Sequence, residues 1–83
     1  MDRKAVQRTN SVLGALLRQR RNAAGMTQDD VAARLDIDRR QIGRIESAQK
    51  PVSVFRLIQI CNALEVDAGD LLREVQERVS HEG

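Results

Sequence analysis

The sequence is poor in the residue types on which several common kinds of site depend. It has one cysteine, one histidine and one proline, no tryptophan or tyrosine, and a single phenylalanine, Phe55. One cysteine and one histidine make neither an internal disulfide nor a zinc ligand set, so we expect no metal and no cofactor. With Phe55 as the only aromatic side chain, the chain offers no stacking platform for single-stranded nucleic acid or RNA bases.

Long apolar runs and catalytic residue sets are also missing. No apolar run approaches the roughly 18 residues that a membrane span needs. The opening residues lead into no continuous apolar stretch, so we expect no secretory signal and a cytoplasmic location. The sequence shows no Ser–His–Asp set, no paired acids and no phosphate-binding loop, and we therefore expect no enzymatic activity.

Charge is present in quantity and is unevenly distributed. The 83 residues, enough for one small domain, carry a net charge of +2. Residues 1–50 hold 11 Lys or Arg against 6 Asp or Glu, whereas residues 51–83 hold 3 against 6. Arginine outnumbers lysine 12 to 2 and forms forked contacts with phosphate and guanine. A basic N-terminal part indicates a polyanionic partner for one face.

Apolar residues recur with helical spacing throughout, and no stretch alternates as a strand does. Thr27, Asp38, Ser53 and Asp67 each stand where a side-chain oxygen can cap a helix N-terminus, and Gly25 is a favoured helix terminator. The pattern predicts an all-α protein of five helices. Their predicted bounds are Ser11–Ala24, Gln28–Leu35, Arg39–Ser47, Val54–Leu64 and Ala68–Val79.

We expect residues 1–10 to form a flexible N-terminal segment, residues 11–79 to form the domain, and residues 80–83 to form a tail. The core should join the apolar faces of the five helices. Its predicted members are Leu13, Leu16, Leu17, Val31, Ala32, Leu35, Ile37, Ile42, Ile45, Val54, Leu57, Ile58, Cys61, Leu64, Leu71 and Leu72.

The second and third predicted helices are short, and only Asp36, Ile37 and Asp38 join them. Two helices with so short a connection must cross steeply, which is the geometry of a helix-turn-helix. Ala32 is small at the point where the two helices would meet most closely. The segment therefore predicts a compact bundle that contains a helix-turn-helix.

The outward face of the third predicted helix carries charge of one sign. On a helical wheel, Ile42 and Ile45 share the inner face, whereas Arg39, Arg40 and Arg44 lie outward with no acidic residue among them. A helix of this size can enter the major groove of DNA, about 12 Å wide, where arginine can donate two hydrogen bonds to guanine. We expect these arginines to read bases in double-stranded DNA; the alternative is a merely soluble surface.

Three features together resemble a known family: Met26-Thr27-Gln28, the pattern Ile42-x-x-Ile45-Glu46, and the segment Pro51–Leu72. Between Val12 and Leu72 the chain resembles the helix-turn-helix domain of the Xre family, which includes the repressors and Cro proteins of lambdoid phages. The resemblance implies a compact, lambda repressor-like bundle of five helices. It also implies binding to operator DNA, usually as a dimer.

The resemblance implies roles for residues around the third helix. Gln28 would contact a phosphate and buttress that helix, and Ser47 and Lys50 would bind the DNA backbone. The alternative for Gln28 is an exposed residue early in the helix, and for Lys50 it is an ordinary solvated charge. Arg21 and Glu46 match a buried ion pair between the first and third helices, with contact of Arg21 to phosphate as the alternative. The complete set of predicted phosphate-binding residues is Thr27, Gln28, Gln41, Ser47 and Lys50.

The chain departs from the family pattern at three positions. Asp36 stands where the family often has glycine, and aspartate tolerates the left-handed conformation better than most residues. Ala48 replaces a common glycine after the third helix, which puts the geometry of that loop in doubt. Gly43 inside the helix costs about 1 kcal/mol relative to alanine. It either permits close approach to a base or reflects neutral drift.

The leading hypothesis is a sequence-specific DNA-binding regulator that binds a pseudo-palindromic operator as a homodimer. A phage-type repressor, a restriction-modification controller and a DNA-binding antitoxin remain open. Val66, Val75 and Val79 are apolar residues in excess of the predicted core, so they form the predicted dimer surface. The rival hypothesis is a protein-interaction module that holds a toxin or another regulator through the fourth and fifth helices. Neither hypothesis includes a small-molecule substrate.

Overall fold

The computed structural model describes residues 2–82, which form five α-helices and no strand. The helices are α1 (Arg3–Ala23), α2 (Gln28–Leu35), α3 (Arg39–Glu46), α4 (Val54–Leu64) and α5 (Ala68–Glu82). The expectation of an all-α five-helix bundle with a helix-turn-helix is therefore confirmed. Met1 of the predicted N-terminal segment and Gly83 of the predicted tail lie outside the described residues.

The two terminal helices are longer than the sequence pattern predicts. α1 begins at Arg3 rather than near Ser11, so residues 3–10 are helical and not a loose segment. The side chain of Asp2 caps this end by accepting a hydrogen bond from the backbone N–H of Ala5 at 2.8 Å. α5 likewise continues beyond Val79 to its end at residue 82. These extensions carry little apolar periodicity, which is why the sequence pattern misses them.

The buried face of α4 differs from the predicted one. Val54 and Ile58 were candidates for the core, but they are 74% and 46% exposed, and Ile60 is buried instead. The apolar residues of α4 offer more than one stripe at helical spacing, and contact with α2 selects between them. The observed core consists of Leu13, Leu16, Leu17, Val31, Ala32, Ile42, Ile45, Leu57, Ile60, Cys61, Leu64, Leu71 and Val75.

α5 turns a different side inward from the one expected. Leu72, predicted to be in the core, is 45% exposed, whereas Val75 is buried at 4% exposed. The prediction that Val75 lies on a dimer surface is therefore wrong, because α5 packs that side chain into the bundle. Val66 and Val79, the other predicted dimer residues, are half-buried against the same core. Predicted core residues Leu35 and Ile37 are also half-buried.

Local capping positions the turn between α2 and α3. Asp36 ends α2 in the left-handed conformation, with φ 56° and ψ 48°. The backbone N–H of Ile37 then donates to the carbonyl of Ala32 at 3.0 Å, which reverses the chain. Ala32 is buried, and its small side chain permits the close crossing of α2 and α3. The outer face of α3 is thus presented to solvent.

Gly14 determines how closely α1 approaches the end of α3. A Cβ atom at this position would lie 2.5 Å from the backbone oxygen of Glu46 and 2.6 Å from that of Ile45. No side chain fits there, so a glycine that is unfavourable within a helix is required by tertiary packing. The contact holds α1 against the C-terminal end of α3.

Candidate nucleic-acid interface

The three arginines predicted to read bases lie together on the exposed face of α3. Arg39 and Arg40 keep 57% and 74% of their side-chain surface exposed, and Arg44 is exposed one turn further along. Between these side chains and α2 runs an open groove of about 240 Å³. It is lined by Gln28, Arg39, Arg40, Gly43, Arg44, Ser47 and Gln49.

Two of these arginines have carboxylate partners. Arg39 Nε lies 3.4 Å from Asp29 Oδ1 of α2, a neighbour that a wheel of α3 alone cannot reveal. Arg40 Nη2 lies 2.9 Å from Asp38 Oδ2. Within residues 2–82 Arg44 has no ion-pair partner. Exposed ion pairs contribute little to stability, and both paired arginines keep more than half of their side-chain surface exposed, so all three guanidinium groups can still donate to a ligand.

Asp38 has two tasks at the start of α3. As the N-cap residue, it accepts a hydrogen bond through Oδ1 from the backbone N–H of Arg40 at 2.8 Å. It also accepts hydrogen bonds from the guanidinium group of Arg40. These side-chain bonds, followed by the backbone bond, lower the pKa of Asp38 to about 2. The carboxylate is therefore charged at neutral pH.

A buried ion pair between α1 and the C-terminal end of α3 fixes the position of α3. Arg21 donates from Nε to Glu46 Oε2 at 2.7 Å and from Nη2 to Oε1 at 3.0 Å. Its Nη1 also donates to the backbone oxygen of Met26 at 2.9 Å, which ties the loop before α2 to the same point. The hydrogen bond to Glu46 raises the pKa of Arg21. Because Arg21 is only 8% exposed, this geometry does not favour the alternative contact with phosphate.

Gln28 belongs to the same network. Its Nε2 donates to Glu46 Oε1 at 3.1 Å, so α2 is bonded to the end of α3. The side chain also runs beside Gly43, where an added Cβ would lie 3.5 Å from Gln28 Oε1. Gln28 therefore has the buttressing geometry that the family resemblance implies, and it lies on the groove.

Two predicted phosphate ligands are also helix caps. Thr27 accepts a hydrogen bond from the backbone N–H of Asp30 at 3.0 Å, and its own N–H donates to the carboxylate of Asp30 at 2.8 Å. Ser47 caps the other end of α3, where its hydroxyl donates to the carbonyl of Gly43 at 2.8 Å. Both side chains are exposed beside the groove residues, Thr27 next to Arg39 and Ser47 within the groove itself.

The structure does not bring Gln41 and Lys50 into this groove. They line a second depression, of about 230 Å³, beside the N-terminal end of α4. Ser53 and Arg56 lie there too. The sequence reasoning missed Arg56; a cation in the first turn of a helix that follows a basic loop is the signal that could have revealed it. The cationic surface therefore has two parts, one on each side of α3.

Two short helices, α2 and α3, that are joined by a three-residue turn and packed on each other define a helix-turn-helix protein. A family model described as a helix-turn-helix domain matches residues 12–78. The chain belongs to this family, and its helix-turn-helix is of the Xre type. A search of curated proteins finds no match.

Three solved structures show what the fold is similar to. The clp gene regulator ClgR from C. glutamicum superposes with a TM-score of 0.78 at 28% identity, over 84% of this chain and 91% of that chain. The restriction-modification controller protein C.AhdI from Aeromonas hydrophila gives 0.70 at 30%, over 74% and 92%. An XRE-family like protein from Pseudomonas syringae pv. tomato gives 0.75 at 30%, over 86% and 85%.

Two of these neighbours are a gene regulator and a restriction-modification controller, in agreement with the expectation that the chain is not an enzyme. Among the described residues, no group of three or more His, Cys, Asp or Glu side chains is placed to hold a metal ion. Of the helices within residues 2–82, none combines the length and the apolar character needed to cross a membrane.

Proposed function

We propose that the protein is a sequence-specific regulator that binds double-stranded DNA with α3 in the major groove. The observation that carries this proposal is the placement of Arg39, Arg40 and Arg44 on one exposed face of a helix whose base is locked by Arg21 and Glu46. A rigid helix can hold arginine forks in register with base edges.

The surfaces on either side of α3 would hold the DNA backbone. On one side lies the N-terminal end of α2, with Thr27 and Gln28. The capping box uses the N–H groups of Thr27 and Asp30, so the backbone N–H groups of Gln28 and Asp29 would be the ones offered to an anion. On the other side lie Lys50 and Arg56, with Gln41 from α3. Cationic and amide groups that flank a reading helix fix its register along the phosphates. Ser47 would add a contact at the end of α3.

The working form would be a homodimer on a pseudo-palindrome, with half-sites about 34–36 Å apart. Its contact surface would be the exposed apolar face of α4, formed by Val54, Phe55 and Ile58. This face begins directly after Ser53, which lines the same depression as Lys50 and Arg56, so the proposed contact adjoins the cationic surface. The similarity to C.AhdI and ClgR supports a controller or a gene regulator. A phage-type repressor would likewise need a homodimer on a pseudo-palindromic operator.

Selection of bound duplexes from a random pool tests the proposal. The unmodified protein should enrich a pseudo-palindrome, and Arg40→Ala should lose preference at one base pair of each half-site while it keeps most of its general affinity. Arg73→Ala, on α5 and away from α3, is the matched control and should change nothing. A uniform loss of affinity would reassign Arg40 to phosphate contact.

Salt dependence gives an independent test. The logarithm of the binding constant should fall against the logarithm of salt concentration with a slope near −0.9 per phosphate neutralised. A response that is nearly independent of salt would contradict the proposal. Failure to enrich any duplex, together with tight and stoichiometric capture of a protein through the α4 face, would favour the protein-interaction module instead.

A further inference from the structure

The N-cap residue of α3 holds one of the three arginines much more tightly than the others are held. Asp38 Oδ2 accepts from Arg40 Nη2 at 2.9 Å, and Arg40 Nε lies 3.3 Å from both carboxylate oxygens. Arg39 has one longer contact, at 3.4 Å, to a residue of another helix. Arg40 is therefore the arginine of this face whose guanidinium orientation is best defined.

The carboxylate itself is anchored. Asp38 Oδ1 accepts a hydrogen bond from the backbone N–H of Arg40 at 2.8 Å. The residue that caps α3 therefore also orients the side chain of Arg40. The hydrogen bonds from Arg40 lower the pKa of Asp38 to about 2, so the carboxylate is charged, and able to accept them, through the physiological pH range.

The contact with Asp38 uses one edge of the Arg40 guanidinium and determines which N–H donors remain for a ligand. A guanidinium has five N–H donors, and its side edge, Nε with one N–H of Nη2, is the edge facing Asp38. No hydrogen bond of Arg40 Nη1 occurs within residues 2–82. The end edge, with one N–H from Nη1 and one from Nη2, is thus left for a ligand. Two parallel donors of this kind match O6 and N7 of guanine.

We propose that Asp38 is a specificity-determining positioning residue, which holds Arg40 by its side edge so that its end edge points at a guanine in the major groove. This inference rests on the proposed function. It adds that Arg40 reads a guanine and that Asp38 orients Arg40 for that contact. A fork that is oriented before binding loses less side-chain freedom on contact with the correct base. A freely rotating arginine would reach a phosphate or another base with similar ease.

Asp38→Ser is the decisive variant, because serine keeps a good N-cap acceptor but cannot accept a forked pair of hydrogen bonds from arginine. Binding should be measured to the selected duplex and to the three duplexes that replace the guanine assigned to Arg40. The preference for guanine should fall by about tenfold, within the range of discrimination that one forked contact provides. Thermal unfolding should change little.

Two comparisons separate this role from simpler ones. Asp67→Ser removes the carboxylate that accepts a backbone N–H at the start of α5 and should leave the base preference unchanged. In an Arg40→Ala background, Asp38→Ser should have no further effect on the preference at that base pair, because the two changes act through one contact.

The results that overturn the inference are distinct. If Asp38→Ser raises or lowers the affinity for all four duplexes equally, Asp38 acts only through its charge or only as a helix cap. In that case this inference fails while the proposed function stands. It also fails if the loss of preference persists undiminished in the Arg40→Ala background. If the unmodified protein shows no base preference on any duplex, the proposed function fails, and this inference fails with it.

Discussion

Backbone conformation at single residues shows where this chain carries strain. Asp36, Ala48 and Glu65 all adopt positive φ, at 56°, 62° and 57°, and each follows the end of a helix. Asp36 belongs to a residue type that enters this region readily, whereas Ala48 has no polar side chain to compensate for the crowding of its Cβ. The loop after α3 therefore imposes on Ala48 a backbone conformation that alanine does not favour.

Ala48→Gly should stabilise the protein. Relief of the left-handed strain, about 1–2 kcal/mol, outweighs the greater freedom that glycine gives the unfolded chain, about 0.4–1 kcal/mol. We expect the free energy of unfolding in urea to rise by about 0.5–1 kcal/mol. Ala33→Gly, at an exposed position within α2, is the control and should lower it by about 1 kcal/mol. A loss of stability in Ala48→Gly would contradict the assigned conformation.

The buried pair of Arg21 and Glu46 should be strongly coupled. Arg21→Ala leaves the Glu46 carboxylate buried without its main partner, so stability should fall by about 3–5 kcal/mol. The double variant with Glu46→Ala should be less destabilised than the sum of the two single variants, by more than about 1 kcal/mol. Chemical denaturation of all four proteins measures this. Arg18→Ala, an exposed neighbour of Glu46, should change stability by less than about 0.5 kcal/mol. Additive effects would disprove the coupling.

At the scale of elements, helix capping and close packing hold α2 and α3 in place. Helices as short as α2 and α3 are not stable alone, and their N-caps contribute only part of what they need. Contacts of α3 with α1 and of α2 with α4 contribute further stability, and the contact with α1 depends on Gly14 having no side chain. Two glycines within helices, Gly14 and Gly43, therefore look equivalent in the sequence but have opposite structural importance.

Gly14→Ala and Gly43→Ala should change stability in opposite directions. The first forces a methyl group against backbone oxygens of Ile45 and Glu46 and should destabilise the protein by about 1–3 kcal/mol. The second places a methyl group in ordinary contact with the flexible side chain of Gln28 and should stabilise the protein by up to about 1 kcal/mol. Thermal or urea unfolding distinguishes them.

A second measurement on Gly43→Ala concerns function. If the variant is stable but binds its selected duplex less well, the glycine provides room for a base or a thymine methyl group. If binding is unchanged, the glycine has no role at the interface. A loss of stability in Gly43→Ala would contradict the ordinary contact distance between this position and the Gln28 side chain.

At the scale of the whole molecule, the exposed apolar surface is concentrated on one helix. Among residues 2–82, three of the five exposed large hydrophobic side chains belong to α4, where they lie outside its buried stripe. The buried stripe already satisfies the core, so folding of the monomer does not explain the others. The proposed second copy of the chain at this face would explain them, and it would double the number of phosphate contacts on DNA.

Phe55→Glu should therefore dissociate the proposed dimer. A charge at the centre of an apolar contact should raise the dissociation constant by at least about thirtyfold, while the monomer stays folded because Phe55 is 69% exposed. Sedimentation velocity over a concentration series measures the change, and circular dichroism checks the fold. Val6→Glu, at an exposed apolar position of α1, is the control and should remain dimeric. If Phe55→Glu associates as the unmodified protein does, the contact lies elsewhere.

Much of this molecule is determined by signals between residues that are close in the chain. The caps Thr27, Asp38 and Ser53 set the starts of three helices where the sequence predicts them, because a cap depends only on its own first turn. The left-handed turn at Asp36 is local in the same sense. The cationic face of α3 also follows from helical spacing alone.

Tertiary structure decided the features that involve a choice between equivalent local patterns. Helical spacing cannot show whether Ile58 or Ile60 faces inward, or that Val75 is buried while Leu72 is exposed, because each helix has several apolar stripes. Pairing of Asp29 with Arg39 and the separation of Gln41 from the groove depend on how α2, α3 and α4 cross. Such outcomes depend on the surface that each helix meets, and that surface comes from residues distant in the sequence.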